Sequence, residues 1–150
     1  MKNLPITTNY IIHKHIAKRA GLHYDLRIQH LDSNKLASFA IPKAKFPNFG
    51  GKVLAIRTPD HPSKWLKINK MVITGSGKIY NEPTYGAGTV QSVQKGRALI
   101  LHWERNVITF VLDGPIVSGK FTLVRFKSKS SNKLDTWLLL KNKLSDKKYI

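Results

Sequence analysis

The chain has 150 residues, with 26 Lys and Arg against 8 Asp and Glu, and its formal charge is +18. This charge predicts a polyanionic partner, and because it is spread along the chain without a basic amphipathic helix, nucleic acid is favoured over an anionic membrane. Cysteine is absent, which excludes disulfides and thiolate metal sites and leaves His, Asp, Glu or backbone oxygen as metal ligands.

Length and hydropathy indicate one folded unit. Hydrophobic residues make up 41% of the chain, enough for one core, and we expect a single domain over residues 1–150 with a polar tail at 144–150. Residues 1–15 lack the apolar core of a signal peptide, and no apolar run approaches the ~20 residues that a membrane span needs. We therefore expect a protein that is cytoplasmic or nucleoid-associated and makes no contact with a membrane. We also expect it to be a monomer.

Short β-prone runs recur along the chain between turn signals such as Asp113-Gly114-Pro115. The predicted strands are Leu22–His30, Leu36–Ile41, Val53–Arg57, Thr89–Val93, Ala98–Trp103, Val107–Leu112, Phe121–Phe126 and Thr136–Leu140. Short helices are predicted within Ile16–Ala20 and near Pro62–Trp65, and long loops at Pro42–Gly51 and Asn69–Ala87. This rhythm is typical of an all-β barrel or sandwich.

Apolar and ionisable residues alternate without a break over residues 22–28. Side chains of a strand point alternately to opposite faces, so His23, Asp25 and Arg27 share one face. The opposite face is predicted to be core: Leu22, Tyr24, Leu26 and Ile28. An imidazole and a carboxylate are ligands for a divalent cation, and a guanidinium fits the paired oxygens of a phosphate. The stretch predicts half of a metal and phosphate site, and the ordinary alternative is an amphipathic strand with a solvated face.

Three further histidines bear on such a site. His13 and His15 precede the strand with the same spacing of two, so an extended backbone would place both rings on one side. His15 would then complete a set of two imidazoles and one carboxylate with His23 and Asp25, with open positions for water or phosphate. His61 lies in a proline-framed turn, where it is either hydrogen-bonded to main chain or presented to a site as a proton donor.

Other candidates for chemistry give weaker signals. Lys43 ends a predicted strand and opens a loop, a position that suits either a phosphate contact or a solvated lysine. The glycine-rich turn Tyr85–Val90 lacks the Lys and the helix of a Walker loop, so we do not expect it to cradle a nucleotide. There is no GxSxG motif, and eight acidic residues leave little room for paired catalytic carboxylates.

A collinear series of motifs resembles the 3′-phosphoesterase domain of bacterial DNA ligase D and its stand-alone archaeal relatives. The motifs are His15–Arg19, Leu22–Arg27, Ala40–Lys43, Asp60–Pro62, Tyr85–Val90, Gly119–Arg125 and Trp137–Lys141. The resemblance covers residues 10–142 and implies a mainly β fold, a small closed or nearly closed β-barrel with one or two short helices. It also implies a Mn²⁺-dependent hydrolase, other divalent transition metals being possible cofactors. Such an enzyme removes a ribonucleoside and then a phosphate from 3′ ends of DNA before sealing.

The same resemblance implies partners and roles for individual residues. The partners would be DNA or RNA-tailed DNA 3′ ends and an ATP-dependent DNA ligase, in end-joining repair. By motif position the metal ligands would be His15, His23 and Asp25. The phosphate contacts would be Arg27 and Lys43, and the catalytic or phosphate-binding histidine would be His61.

Several positions depart from the family pattern. The interval from His15 to His23 is two residues longer than usual, which makes His13 a rival ligand or a substrate contact. Where the family has an arginine this chain has Val53, with Lys52 beside it, and the expected tyrosine is Trp65. Lys52 and Trp65 are therefore further candidates for contact with the substrate.

A hypothesis from another class is a non-catalytic basic barrel that binds nucleic acid and recruits or assists a ligase. Charge and the aromatic residues Trp65, Trp103 and Tyr85 fit it equally well, because such rings stack on unpaired bases. The discriminating feature is the set of two histidines and one aspartate, which a pure binding protein does not need.

Overall fold

The computed structural model describes residues 3–17, 21–73, 78–79, 82–83, 88–126 and 134–143. Within these ranges the chain forms eleven strands and one 3₁₀ helix at Ser63–Lys67. The strands are β1 Ile6–Ala17, β2 Gly21–Gln29, β3 Lys35–Pro42, β4 Lys52–Pro62, β5 Lys70–Ile73, β6 Lys78–Ile79, β7 Glu82–Pro83, β8 Gly88–Glu104, β9 Val107–Asp113, β10 Ser118–Arg125 and β11 Asp135–Lys141. None of the described residues forms a helix long and apolar enough to cross a membrane.

Eight of these strands close an antiparallel barrel in the order β1-β2-β3-β4-β11-β10-β9-β8, because β1 also pairs with β8. Strand β5 adds to β8 outside this circle, and β6 pairs with β7 in a separate two-stranded sheet. Closure removes the exposed sheet edges that an open sheet would present. The predicted β-barrel is confirmed, and it is fully closed.

The barrel differs from the predicted elements where distant pairing overrides local signals. Residues 89–103, predicted as two strands, belong to the single strand β8, which pairs with β1 along residues 88–100 and with β9 from residue 99 onward. The polar interval at 94–97 is therefore paired strand rather than a turn. The loop predicted at Asn69–Ala87 contains β5, β6 and β7 where it is described, and residues 74–77, 80–81 and 84–87 lie outside the described residues.

The predicted helix within Ile16–Ala20 is wrong for its first two residues. Ile16 and Ala17 end β1, where β2 pairs with them on one side and β8 on the other, and residues 18–20 lie outside the described part. Two ladders of main-chain hydrogen bonds outweigh the local helix signal. Near Pro62–Trp65 the structure has the short 3₁₀ helix that follows β4.

The barrel interior holds the main hydrophobic core. Leu26 and Ile28 of β2 are fully buried in it together with aromatic residues from other strands, which confirms the predicted core face for these two positions. Tyr24 packs partly buried against the same core. Leu22 is 44% exposed, contrary to the prediction, because it lies with its partner Ile16 at the end of the β1–β2 hairpin, beyond the main core.

A second, smaller apolar cluster covers part of the outer wall. It consists of Leu36, Trp65, Ile68 and Val90, with Leu66 and Met71 packed against it. The 3₁₀ helix thus lies over the outer faces of β1 and β2, where Trp65 contacts the polar side chains of His13 and Arg27, while β5 extends the sheet beside β8. The polar side chains on the outer face of β2 are therefore buried beneath this cover rather than solvated.

Candidate metal and phosphate site

The register of β1 against β2 builds the candidate site. His15 lies opposite His23, and His13 lies opposite Asp25. Because side chains alternate along each strand, these residues and Arg27 all share the outer wall of the barrel. All five are buried, with exposed fractions of 5% or less.

His15, His23 and Asp25 form the one cluster of potential metal ligands found in the described part of the chain. One ligand atom from each lies within 4.8 Å of the others. Oδ2 of Asp25 is 3.4 Å from Nε2 of His23 and 3.7 Å from Nδ1 of His15. Ligand atoms bound at ~2.0–2.2 Å to one cation lie ~3–4 Å apart, so this spacing fits a divalent ion after small adjustments.

Asp25 has the electrostatic character expected of a ligand. Both of its carboxylate oxygens are buried, and neither accepts a hydrogen bond from the described residues. Burial by itself would raise the pKa of this carboxyl, but Arg27 and the two neighbouring imidazoles outweigh burial and hold the pKa well below its usual range. The side chain is therefore an anion at neutral pH, enclosed among nitrogen atoms that are 3.4 Å or more from Oδ2.

His13 has different partners from the three-residue cluster. Its Nε2 lies 2.9 Å from the carbonyl oxygen of Ile68, and its Nδ1 accepts a hydrogen bond from Nε of Arg27 at 3.2 Å. Burial and the charge of Arg27 lower the pKa of His13 to about 4. Both ring nitrogens of His13 thus have protein partners. This favours His15 over His13 as the second imidazole of the candidate metal site.

Arg27 lies between the carboxylate and the apolar cover. Its Nη2 is 3.4 Å from Oδ2 of Asp25, and its Cζ lies 4.5 Å from the centroid of the Trp65 ring. Trp65 is only 1% exposed, and its ring packs on the guanidinium. The sequence alone identified both residues as candidates but not this stacking, which depends on the 3₁₀ helix folding over the barrel wall.

His61 lies on the same side of the candidate site as Trp65. It is a residue of β4, opposite Leu36 of β3, rather than part of a turn as predicted. Its ring packs edge-on against Trp65 with 4.6 Å between centroids. Burial and the charge of Arg27 lower the pKa of His61 to about 4, against smaller opposing effects that include Asp25.

Comparison with known proteins gives the site its context. The family described as the DNA Ligase D 3′-phosphoesterase domain matches residues 13–125 of the chain. The chain belongs to this family. It is 32% identical over 139 residues to the multifunctional non-homologous end joining protein LigD of Pseudomonas aeruginosa, an alignment that covers 89% of this chain and 15% of that protein. It is 29% identical over 143 residues to the protein of the same name from Mycolicibacterium smegmatis, with 86% and 17% covered. The chain thus spans less than a fifth of the length of these relatives.

The remaining candidates lie outside the buried cluster of His15, His23 and Asp25. Lys43 is exposed and follows Pro42, the partner of His23 in β3. Lys52 is exposed at the first residue of β4, opposite Leu140. Val53 packs against the main core, so its side chain is directed away from the outer wall that carries the site. In the glycine-rich turn, residues 85–87 lie outside the described part, and β8 begins at residue 88.

Sequence reasoning missed the part played by the Ile68 carbonyl. This main-chain oxygen reaches His13 across 55 positions of sequence, and no motif marks a carbonyl group. A usable signal was the apolar pattern of Trp65, Leu66 and Ile68, which is too apolar for an exposed connection and indicates that this segment covers something.

Proposed function

We propose that the chain is a metal-dependent phosphoesterase that processes 3′ ends of DNA. It would remove 3′-terminal ribonucleosides and 3′-phosphates and leave a 3′-hydroxyl for ligation in end-joining repair. The observation that carries the proposal is the buried cluster of His15, His23 and Asp25 directly beside the guanidinium of Arg27. Membership of the phosphoesterase family supports it, as does the end-joining role in the names of both relatives.

His15, His23 and Asp25 are the residues that would hold the cation. Bound there, a divalent ion would act as a Lewis acid toward the phosphate and lower the pKa of a coordinated water. Two imidazoles and one carboxylate accept manganese, but by intrinsic order they bind zinc or copper more tightly. The choice of Mn²⁺ therefore rests on the family, with the other divalent transition metals to be tested beside it.

Arg27 would neutralise the phosphoryl oxygens. Its guanidinium is charged at every relevant pH, and because Arg27 is only 3% exposed, the low dielectric of its surroundings strengthens its attraction for an anion. Because Nε is already bonded to His13, the Nη atoms are the donors that would meet the phosphate. A charge-assisted bond of this kind contributes roughly 1.5–3 kcal/mol.

His61 would deliver a proton to the leaving oxygen after the phosphate has bound. With a pKa of about 4, the ring is neutral in the free protein at pH 7 and is a poor acid there. A bound phosphate would offset the positive charge of Arg27 and raise the pKa of His61 toward the working pH, where proton transfer is efficient. The ring would thus become an acid when substrate is present.

The positive surface would bring DNA to this site. A net charge of +18 attracts phosphates over the whole molecule, and the exposed Lys43 and Lys52 would add contacts to the strand beside the reacting end. An ATP-dependent DNA ligase that seals the resulting 3′-hydroxyl is the proposed protein partner.

One assay tests the proposal. Single-turnover and steady-state cleavage would be measured on DNA ending in a 3′-ribonucleotide and on DNA ending in a 3′-phosphate, with Mn²⁺, Mg²⁺, Zn²⁺ or a chelator. We expect metal-dependent products with a 3′-hydroxyl, abolished by Asp25→Asn and retained by Asp60→Asn. DNA binding without product under every metal would instead support the non-catalytic binding barrel.

A further inference from the structure

We propose that His13 is a positioning residue that fixes the orientation of the Arg27 guanidinium in the site. The inference rests on the proposed function, in which Arg27 meets the phosphate, and assigns a role to a buried histidine outside the three-residue metal cluster. His13 is 0% exposed and lies directly opposite Asp25 in the β1–β2 register. It is therefore buried in the same outer wall of the barrel as the proposed ligands.

The hydrogen-bond partners of His13 define its role. The Ile68 carbonyl, 2.9 Å from Nε2, can only accept a hydrogen bond, and Nε of Arg27, 3.2 Å from Nδ1, can only donate one. A single form of the ring satisfies both partners, the neutral tautomer with its proton on Nε2. His13 thus connects the covering segment that follows the 3₁₀ helix to the arginine on the barrel wall.

This bond constrains Arg27 in a different way from its contacts with Trp65 and Asp25. Stacking on Trp65 restricts the guanidinium to positions over the ring, but it leaves rotation within that plane open. The contact between Nη2 and Asp25, at 3.4 Å, is too long to define a direction. The bond from Nε to His13 restricts this rotation, so the two Nη atoms keep one orientation relative to Asp25.

The consequence is catalytic rather than structural. A guanidinium held in one orientation can meet two oxygens of a phosphate in the transition state without first losing rotational freedom. Without the bond to His13, Arg27 keeps its charge and its stacking on Trp65, so substrate binding should change little. Turnover should therefore fall more than affinity.

The test compares two substitutions with opposite chemistry at one position. His13→Gln retains a donor for the Ile68 carbonyl and an acceptor for Arg27, whereas His13→Leu retains only the volume. We expect His13→Leu to lower kcat by about 10- to 100-fold on 3′-phosphate-ended DNA with Mn²⁺. KM should change by less than about threefold, and His13→Gln should recover most of kcat. A kcat for His13→Leu equal to that of the wild type, or a His13→Gln enzyme as slow as His13→Leu, would overturn the proposal.

A second measurement does not need turnover. Nitrogen-15 NMR of the wild-type protein should show His13 as the Nε2–H tautomer and an Arg27 Nε–H that exchanges slowly with solvent. That exchange should quicken at least about tenfold in His13→Leu. A proton on Nδ1 of His13 in the wild type would refute the positioning role whether or not His13→Leu folds, and unchanged exchange in a folded His13→Leu would refute it as well.

A double substitution separates this inference from the proposed function. Arg27→Lys removes Nε and with it the bond to His13, so adding His13→Leu to Arg27→Lys should lower kcat by less than threefold further. A full additional loss would show that His13 acts through some other group. If the wild type has no phosphoesterase activity, the proposed function fails, and the tautomer and exchange data still decide whether His13 holds Arg27.

Discussion

Removing the charge of Asp25 tests the electrostatics of the site most directly. Asp25 is 1% exposed and its Oδ2 lies 3.4 Å from Nη2 of Arg27, which is 3% exposed, so Asp25→Asn would remove the negative charge from this buried pair. Breaking a buried ion pair by removing one partner typically costs about 3–5 kcal/mol. Because asparagine has nearly the shape of aspartate, no cavity adds to this figure. We expect the metal-free variant to lose that much free energy of unfolding as well as its activity.

A matched control exists at Asp60. Its Oδ2 lies 2.8 Å from Nε2 of His30 and its Oδ1 lies 3.6 Å from Nη2 of Arg57, so it too faces a histidine and an arginine. The carboxylate is 38% exposed, and solvent screens such pairs to about 1 kcal/mol or less. Asp60→Asn should therefore be nearly neutral.

The assay is unfolding at pH 7 with a chelator, monitored by tryptophan fluorescence. Urea is the denaturant because it does not screen charges as guanidinium chloride does. Mn²⁺ affinity, DNA affinity and turnover would be measured on the same two variants. DNA affinity should be close to wild type in both, since one carboxylate changes little in a surface of +18. Equal destabilisation by the two substitutions would refute the buried-pair argument, and retained Mn²⁺ binding with turnover in Asp25→Asn would refute the proposed ligand.

Three further outcomes are expected. DNA affinity should fall ~10³-fold or more between low and moderate salt if several phosphates are engaged, and a flat profile in a filter-binding titration would contradict the polyanion interpretation. The pKa of His61 is about 4 when folded and 6.5 when unfolded, so the unfolded chain binds the proton first and stability should fall between pH 6.5 and 4. We expect this residue to contribute a loss of roughly 2–3 kcal/mol between pH 7 and 4.5. Urea unfolding of His61→Gln should therefore show a loss smaller by that amount than the wild type, since His13 contributes a similar loss in both proteins. Cleavage should be confined to 3′ ends, because Arg27 and His61 can meet the reacting phosphate from one strand direction only, and equal release of 5′-phosphate in a labelled-end assay would count against the site assignment.

The sequence by itself determined the features that depend on neighbouring residues. Alternation along a strand is a property of the backbone, so residues 22–28 were enough to place His23, Asp25 and Arg27 on one face opposite Leu26 and Ile28. The spacing of turn signals predicted an all-β fold in the same way. The ordered motifs identified the phosphoesterase family without knowledge of any contact.

Only the tertiary structure decided how these faces meet. The register of β1 against β2 places His15 opposite His23, whereas the spacing of two in His-Lys-His left His13 and His15 equivalent. The preference for His15 as a candidate metal ligand depends on the Ile68 carbonyl, which lies 55 positions away in sequence and 2.9 Å from Nε2 of His13. Likewise, whether the polar face of β2 is solvated or enclosed depends on the segment around Trp65, which packs over a wall that it does not adjoin in sequence. Contacts between distant segments follow from strand register and from the burial of apolar surface, and the local pattern of residues does not specify either.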